Sequence, residues 1–194
     1  RFLRTRVLGA AIPFHRDFEE VNLRFYVRRR SDGEWRRGVV FIKELVPRPA
    51  IAFVARTAYG ENYESLPMRH ELAIDADRRR LTYKWRHGGR WQGLSVVYSG
   101  APEVPAQNSE TAFITEHYWG YTRRRRGGTL EYQVEHPRWR AWTALEARLE
   151  GDTARLYGER FAHCLEGPPA SALLADGSAV SVFKGVRLQQ LGEG

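Results

Sequence analysis

The sequence holds one cysteine, Cys164, in 194 residues. No intrachain disulfide can form, and a metal centre built on thiolates is excluded. The same scarcity fits a reducing, cytoplasmic home. No apolar run is long enough to cross a bilayer as a helix. The basic stretch Arg1–Arg6 is not followed by the apolar core and small-residue cleavage site of a secretory signal. Lysine is nearly absent: of 31 basic residues only Lys43, Lys84 and Lys184 are lysine, leaving 28 arginines. A net charge of +8 points towards nucleic acid. The skew to arginine reads instead as a GC-rich codon bias, and the arginines are scattered among 23 acidic residues. The runs Arg28–Arg30, Arg78–Arg80 and Arg123–Arg126 lie beside turn signals, so they read as solvated hairpin ends. Nucleic-acid binding through an arginine-rich surface is the weakest of three functional readings.

Several motifs are missing as well. There is no glycine-rich dinucleotide fingerprint, no phosphate-binding loop, no nucleophile elbow and no zinc-protease pair. The six histidines (His15, His70, His87, His117, His136 and His163) lack ligand-type spacing, and His136 before Pro137 reads as a turn residue. No metal and no cofactor is expected.

What remains is a chain of strands. Val21–Arg29 alternates, with Leu23, Phe25 and Val27 on one face and Asn22, Arg24, Tyr26 and Arg28 on the other. Arg37–Val46 returns after a Ser-Asp-Gly turn, which makes a hairpin. Pro47 and Pro49 break the chain, and the apolar stretch Ala50–Tyr59 fits either a buried strand or a short helix. His70–Gly100 reads as a three-stranded meander, and Ala112–Trp139 as a hairpin turning at Gly127-Gly128. The segment Arg138–Gly151 reads as one more strand. Asp152–Gly167 is the clearest helix, capped by Asp152 and stopped by Gly167-Pro168-Pro169. A last strand follows from Ser178. Eight or nine strands with one or two short helices predict a mainly β, β-rich α+β domain over residues 1–194. So many strands need their edges hidden, which predicts a closed or nearly closed antiparallel barrel around an internal pocket. The chain begins at Arg1, in what reads as mid-strand, so an N-terminal segment is expected to precede it.

Four stretches, "FHRDFEEVNLRFYVRR", "RGVVFIKELVPRPAIAFVARTAYGENY", "FITEHYWGYTR" and "YQVEHPRW", closely resemble the uncharacterised DUF2071, or YqjF-like, family. The resemblance covers nearly the whole chain. That family is similar in fold to acetoacetate decarboxylase, which implies a cone-like antiparallel β-barrel with an internal cavity. The decarboxylase forms a Schiff base through a buried lysine beside a second lysine; desolvation and the like charge keep the amine neutral. Its strand ending in Pro-Ala-Ile-Ala matches Pro49–Ala52 here, its following arginine matches Arg56, and its tandem lysines fall on Tyr63 and Glu64. Schiff-base chemistry is therefore not carried over. A glutamate of the decarboxylase pocket matches Glu20, or Glu19 if the register slips by one.

The candidate site residues follow. Glu20 reads as a cavity acid or base or a ligand anchor, as an exposed residue of an acidic turn, or as a buried carboxylate paired with Arg24 or Arg56. Tyr63 reads as a proton or hydrogen-bond donor, or as pocket wall. Arg24 and Tyr26 share a face, and Arg24 suits a carboxylate ligand. Glu61 and Asn62 follow Gly60 as a turn that a scaffold holds out to a ligand. Glu116 and Tyr118 point one way from an aromatic strand that serves either a cavity or the core. Two further functional readings result. One is a binding module for a small polar or acidic organic molecule, without Schiff-base chemistry. The alternative is a lysine-independent enzyme of lyase or hydratase type, using Glu20 and Tyr63 on a keto or hydroxy acid.

Overall fold

The computed structural model describes residues 3–7, 10–11, 18–124 and 127–188. Arg125 and Arg126 of the longest basic run, and His15, lie outside the described residues. The chain starts with two short strands, β1 (Leu3–Val7) and β2 (Ala10–Ala11). The expected long hairpin follows as β3 (Val21–Ser31) and β4 (Glu34–Val46). Asp32 and Gly33 join them with φ of 51° and 84°, the two positive values that a tight hairpin turn of matching twist requires.

The ambiguous apolar stretch is helical. Pro49 fixes the first turn of α1 (Pro49–Val54), where its missing N–H costs nothing. The helix widens into a π turn over Ala55–Tyr59 and stops at Gly60, whose φ of 75° is the left-handed C-cap conformation. β5 (Tyr63–Ser65) then runs parallel to β4. The predicted meander is β6 (Met68–Asp75), β7 (Arg78–His87) and β8 (Arg90–Ser99). Residues 110–115 form α2 (Glu110–Thr115) rather than the start of a strand. The Gly127-Gly128 hairpin is shorter than expected: β9 (Trp119–Arg123) and β10 (Thr129–Glu135). The next predicted strand divides into β11 (Ala141–Thr143) and β12 (Glu146–Glu150). The predicted long helix also divides. Asp152 does cap α3 (Thr153–Tyr157), accepting from the Arg155 backbone N–H at 2.9 Å. Gly158 then takes a φ of 89° and ψ of 152°, which interrupts the helix before α4 (Glu159–Ala162) and a single 3-10 turn. β13 (Leu173–Ala175), β14 (Ala179–Val182) and β15 (Val186–Arg187) complete the chain.

These elements divide into two compact units, each built from separated stretches of chain. The first comprises residues 1–65, 116–137 and 178–194. Its sheet runs β2-β1-β14-β10-β9-β4-β3, with β15 beside β10 and β5 beside β4. The second comprises residues 66–115 and 138–177, with the sheet β12-β8-β7-β6 and the pair β11-β13. The fold is mainly β, as predicted. The expected barrel closure is not: among the described residues each sheet is open, and the β1–β14, β4–β5 and β4–β9 ladders are parallel. Parallel neighbours need crossover connections, and α1 with its π turn supplies the one between β4 and β5.

One irregularity positions the site. Leu23 pairs with Lys43, but Arg24 pairs with Phe41, so Ile42 is an extra residue in β4. Such a bulge shifts the side-chain alternation by one. Val39 and Phe41 before it therefore share a face with Glu44 and Val46 after it. Asn62 pins the bulge: its Nδ2 donates to the Ile42 carbonyl at 2.8 Å, and its own carbonyl accepts from the Glu44 N–H at 3.0 Å.

Candidate functional site

Strand register places the site on one face of the first unit's sheet. Arg24 is opposite Phe41, and Asn22 is opposite Glu44. Glu44 is level with Tyr63 across the β4–β5 ladder. Val39 is level with Gly120, and Gly120 is opposite Tyr132. Cross-strand partners project to the same side, so Arg24, Glu44, Tyr63 and Tyr132 share this face. The segment carrying Phe18, together with α1, covers part of it. Phe18, Val46, Ile51 and Ala52 form a small buried core, and Tyr63 packs against it.

Three carboxyl groups, those of Glu20, Glu44 and Glu61, lie within electrostatic reach of one another here. Tyr63 Oη donates to Glu20 Oε2 at 3.3 Å, and Asn22 Nδ2 donates to Glu20 Oε1 at 3.1 Å. Tyr132 Oη donates to Glu61 Oε1 at 2.7 Å within the protein interior. Glu44 lies electrostatically between these pairs: the charges of both Glu20 and Glu61 act on it. It is only 2% exposed, and among the described residues its buried Oε2 has no hydrogen-bond partner.

Burial dominates the electrostatics of all five groups, because the charged form loses hydration that the interior does not replace. Burial lifts the half-buried Glu20 carboxyl from 4.5 to about 7, against the hydrogen bonds from Asn22 and Tyr63 and the charge of Arg24. It lifts Glu61 to about 7, opposed by hydrogen bonds from Tyr132 and Thr122 and reinforced by Glu20. Glu44 is pushed well above the carboxylate range by burial, then by Glu20 and Glu61; Tyr63 and Arg24 pull the other way. The Tyr63 and Tyr132 phenols are raised well above their usual value by burial and then by the neighbouring carboxylates. Near neutral pH the tyrosines are thus proton-bearing donors, and Glu20 and Glu61 are poised between acid and base. No group of three or more His, Cys, Asp or Glu among the described residues is placed to hold a metal ion.

Four of the nine residues singled out in the sequence take part: Glu20, Tyr63 and Glu61 directly, and Arg24 through its charge. The other five are placed differently. Tyr26 is 38% exposed and tilts against His117 with ring centroids 4.6 Å apart. Arg56 is exposed, and its Nε donates to the Ala52 carbonyl at 3.2 Å, serving the helix. Asn62 holds the bulge. Glu116 is half-buried in the segment before β9, and Tyr118 stacks on His136 at 5.0 Å. The charges and hydrogen bonds that define the cluster come from other residues.

Sequence reasoning missed Glu44 and Tyr132. A signal for Glu44 existed, since it is a carboxylate embedded in the apolar return strand "RGVVFIKELV". Lys43 beside it points to the other face, where its Nζ pairs with Glu64 at 2.9 Å. The second unit carries an open cleft of about 240 Å³ lined by Arg69, Lys84, Trp91, Gln92 and Glu150. Its cations are already engaged: Lys84 pairs with Glu71 at 2.9 Å, and Arg69 lies over the Trp91 ring at 4.4 Å.

The comparisons with known proteins agree with this architecture. The model of the DUF2071 family, described as an uncharacterized conserved protein, matches residues 1–179. The chain belongs to the DUF2071 family. No curated protein matches the sequence significantly. Among solved structures, this DUF2071 protein is similar to the acetoacetate decarboxylase of Legionella pneumophila subsp. pneumophila str. Philadelphia 1, with a TM-score of 0.54 and 13% identity. The match covers 89% of this chain and 67% of the decarboxylase. A second acetoacetate decarboxylase structure matches with a TM-score of 0.47 and 14% identity, covering 87% of this chain and 68% of that one. At such identities the first likeness shows a shared fold and nothing of shared chemistry.

The cluster depends on a close approach at Gly120. A Cβ built there would collide with the Tyr132 ring. Gly120→Ala is expected to cost about 1–3 kcal/mol through overpacking and to shift the Tyr132 hydroxyl away from Glu61. Urea unfolding of the variant checks the first effect. The second should appear as a change in the Glu61 titration followed by NMR.

Proposed function

We propose that this DUF2071 protein binds a small polar organic molecule at the Glu20–Glu44–Glu61 cluster and moves protons on it by general acid–base catalysis. The substrate is a carbonyl or hydroxy compound, and the reaction is of lyase or hydratase type. The observation that carries the reading is the Tyr63 hydroxyl on the Glu20 carboxylate at 3.3 Å, beside two further buried carboxyls. A phenol that keeps its proton and a carboxyl titrating near neutrality form a donor and an acceptor for opposite ends of one proton transfer. The decarboxylase fold supports a small-molecule site, but its lysine chemistry does not follow. Tyr63 and Glu64 stand at the tandem-lysine positions, Lys43 is paired with Glu64, and Lys184 is exposed.

The test is hydrogen exchange at the carbon next to a carbonyl. A panel of small keto and hydroxy compounds is incubated with the protein in D2O and followed by proton NMR. Exchange, hydration or dehydration above the buffer rate, unaffected by borohydride, is expected for at least one compound. Borohydride inactivation in the presence of substrate would indicate a Schiff base and sink this mechanism. A panel that shows no turnover but saturable binding would favour the binding module.

A further inference from the structure

One buried acceptor of the cluster lacks a hydrogen-bond donor among the described residues, and this narrows its ligand. The Tyr63 hydroxyl donates to Glu20 and is shared with Glu44, and the Tyr132 hydroxyl donates to Glu61. Among the described residues nothing donates to the buried Glu44 Oε2, in a residue that is 2% exposed. An unmet buried acceptor is costly, and a ligand that donates to it recovers that cost. Charge then selects among donors. Three carboxyl groups lie within electrostatic reach of one another here, and among the described residues the Arg24 cation acts on Glu20 and Glu44. An acidic ligand would oppose the ionisation of all three carboxyls. A neutral hydroxyl would supply a donor and no charge. An ammonium group supplies three donors together with a positive charge that favours the ionised carboxyls.

Resting on the acid–base reading above, we propose that the substrate class is a small carbonyl or hydroxy compound bearing a primary ammonium group, seated against Glu44 Oε2. Binding is coupled to proton release. Glu20 faces Asn22, Arg24, Glu44 and Tyr63; Glu44 faces Glu20, Glu61, Tyr63 and Arg24; Glu61 faces Tyr132, Thr122 and Glu20. A cation placed among them favours the ionised form of each carboxyl, so a proton leaves the cluster for solvent as the ammonium docks. Affinity therefore rises with pH through the neutral range, until the ligand amine itself loses its proton.

Three probes share one carbonyl and differ in charge: aminoacetone, hydroxyacetone and acetoacetate. Each is titrated calorimetrically into the full chain, in two buffers of different ionisation enthalpy. Aminoacetone is expected to bind about tenfold tighter than hydroxyacetone, the difference between a charge-assisted and a neutral hydrogen bond. Its heat should depend on the buffer, which reports proton release. Glu44→Gln should remove both the preference and the buffer dependence, with its melting curve showing that the variant is folded. Acetoacetate binding as tightly as aminoacetone overturns the cationic class and leaves the acid–base reading standing. Saturable binding by none of the three also overturns it, and Glu20-dependent deuterium exchange on the wider panel then decides the acid–base reading separately.

Discussion

Stability is expected to fall as pH rises from about 5 to about 8, with the urea midpoint decreasing steadily across that range. The direction follows from the raised carboxyls. In the folded chain Glu20 and Glu61 titrate at about 7, against 4.5 for a free glutamate. Between those values the folded state keeps protons that the unfolded state has released, so raising the pH favours unfolding. The contribution is fully present below the unfolded value and is lost as pH passes the folded one. For Glu61 the rise from 4.5 to about 7 corresponds to about 3 kcal/mol. Glu20 is more exposed and contributes less, and the mutual repulsion of the group makes the contributions non-additive. Glu44, raised further, extends the decline to higher pH. Glu44→Gln removes the carboxyl on which both neighbours act, and it should flatten the profile and raise stability at the alkaline end. A flat or rising midpoint between pH 5 and 8 would show that the three carboxyls are not buried together.

The face of Glu44 shows where sequence reasoning stops. Alternation and turn residues were enough to find the β3–β4 hairpin, the β6–β7–β8 meander and the β9–β10 hairpin, because their strands are joined by tight turns where φ is positive. They were not enough to find the bulge at Ile42. An extra residue in a strand has no composition of its own, and it reverses the facing of everything after it. Glu44 therefore belonged to either side until the register was known. Glu20, Tyr63 and Glu61 were legible because a related fold marked their stretch of chain. Arg56 and Asn62 lie in that same stretch, yet they hold backbone: one serves the helix carbonyl of Ala52, the other the bulge. Tyr132 was hidden differently. Its approach to Glu61 requires the empty Cβ position at Gly120, across the ladder and twelve places earlier in the chain. Nothing local to "LEYQVE" announces it. The long helix at Asp152 was over-read for a simpler reason: the cap signal was correct, but Gly158 inside the apolar pattern ended the helix early.

Glu20→Gln is expected to lower the proton-exchange rate by roughly 10²–10⁴-fold, the usual loss when a positioned acid or base is removed. The amide keeps the size of the side chain and can still accept from Tyr63, so the site retains its shape while losing its titrating group. Tyr63→Phe acts on the same pair from the other side. The Tyr63 hydrogen bond pulls the Glu20 titration down; without it burial acts with less opposition, and the Glu20 carboxyl titrates higher. If ionised Glu20 is the base, the acid limb of the pH–rate profile should move to higher pH in Tyr63→Phe, together with a loss of rate. A purely structural tyrosine would lower the rate or the stability and leave that limb where it was. The two variants therefore separate roles that a single loss of activity would merge. A Glu20→Gln protein with undiminished exchange would remove Glu20 from the chemistry, and Glu61, with its own tyrosine donor at 2.7 Å, would be the group to test in its place.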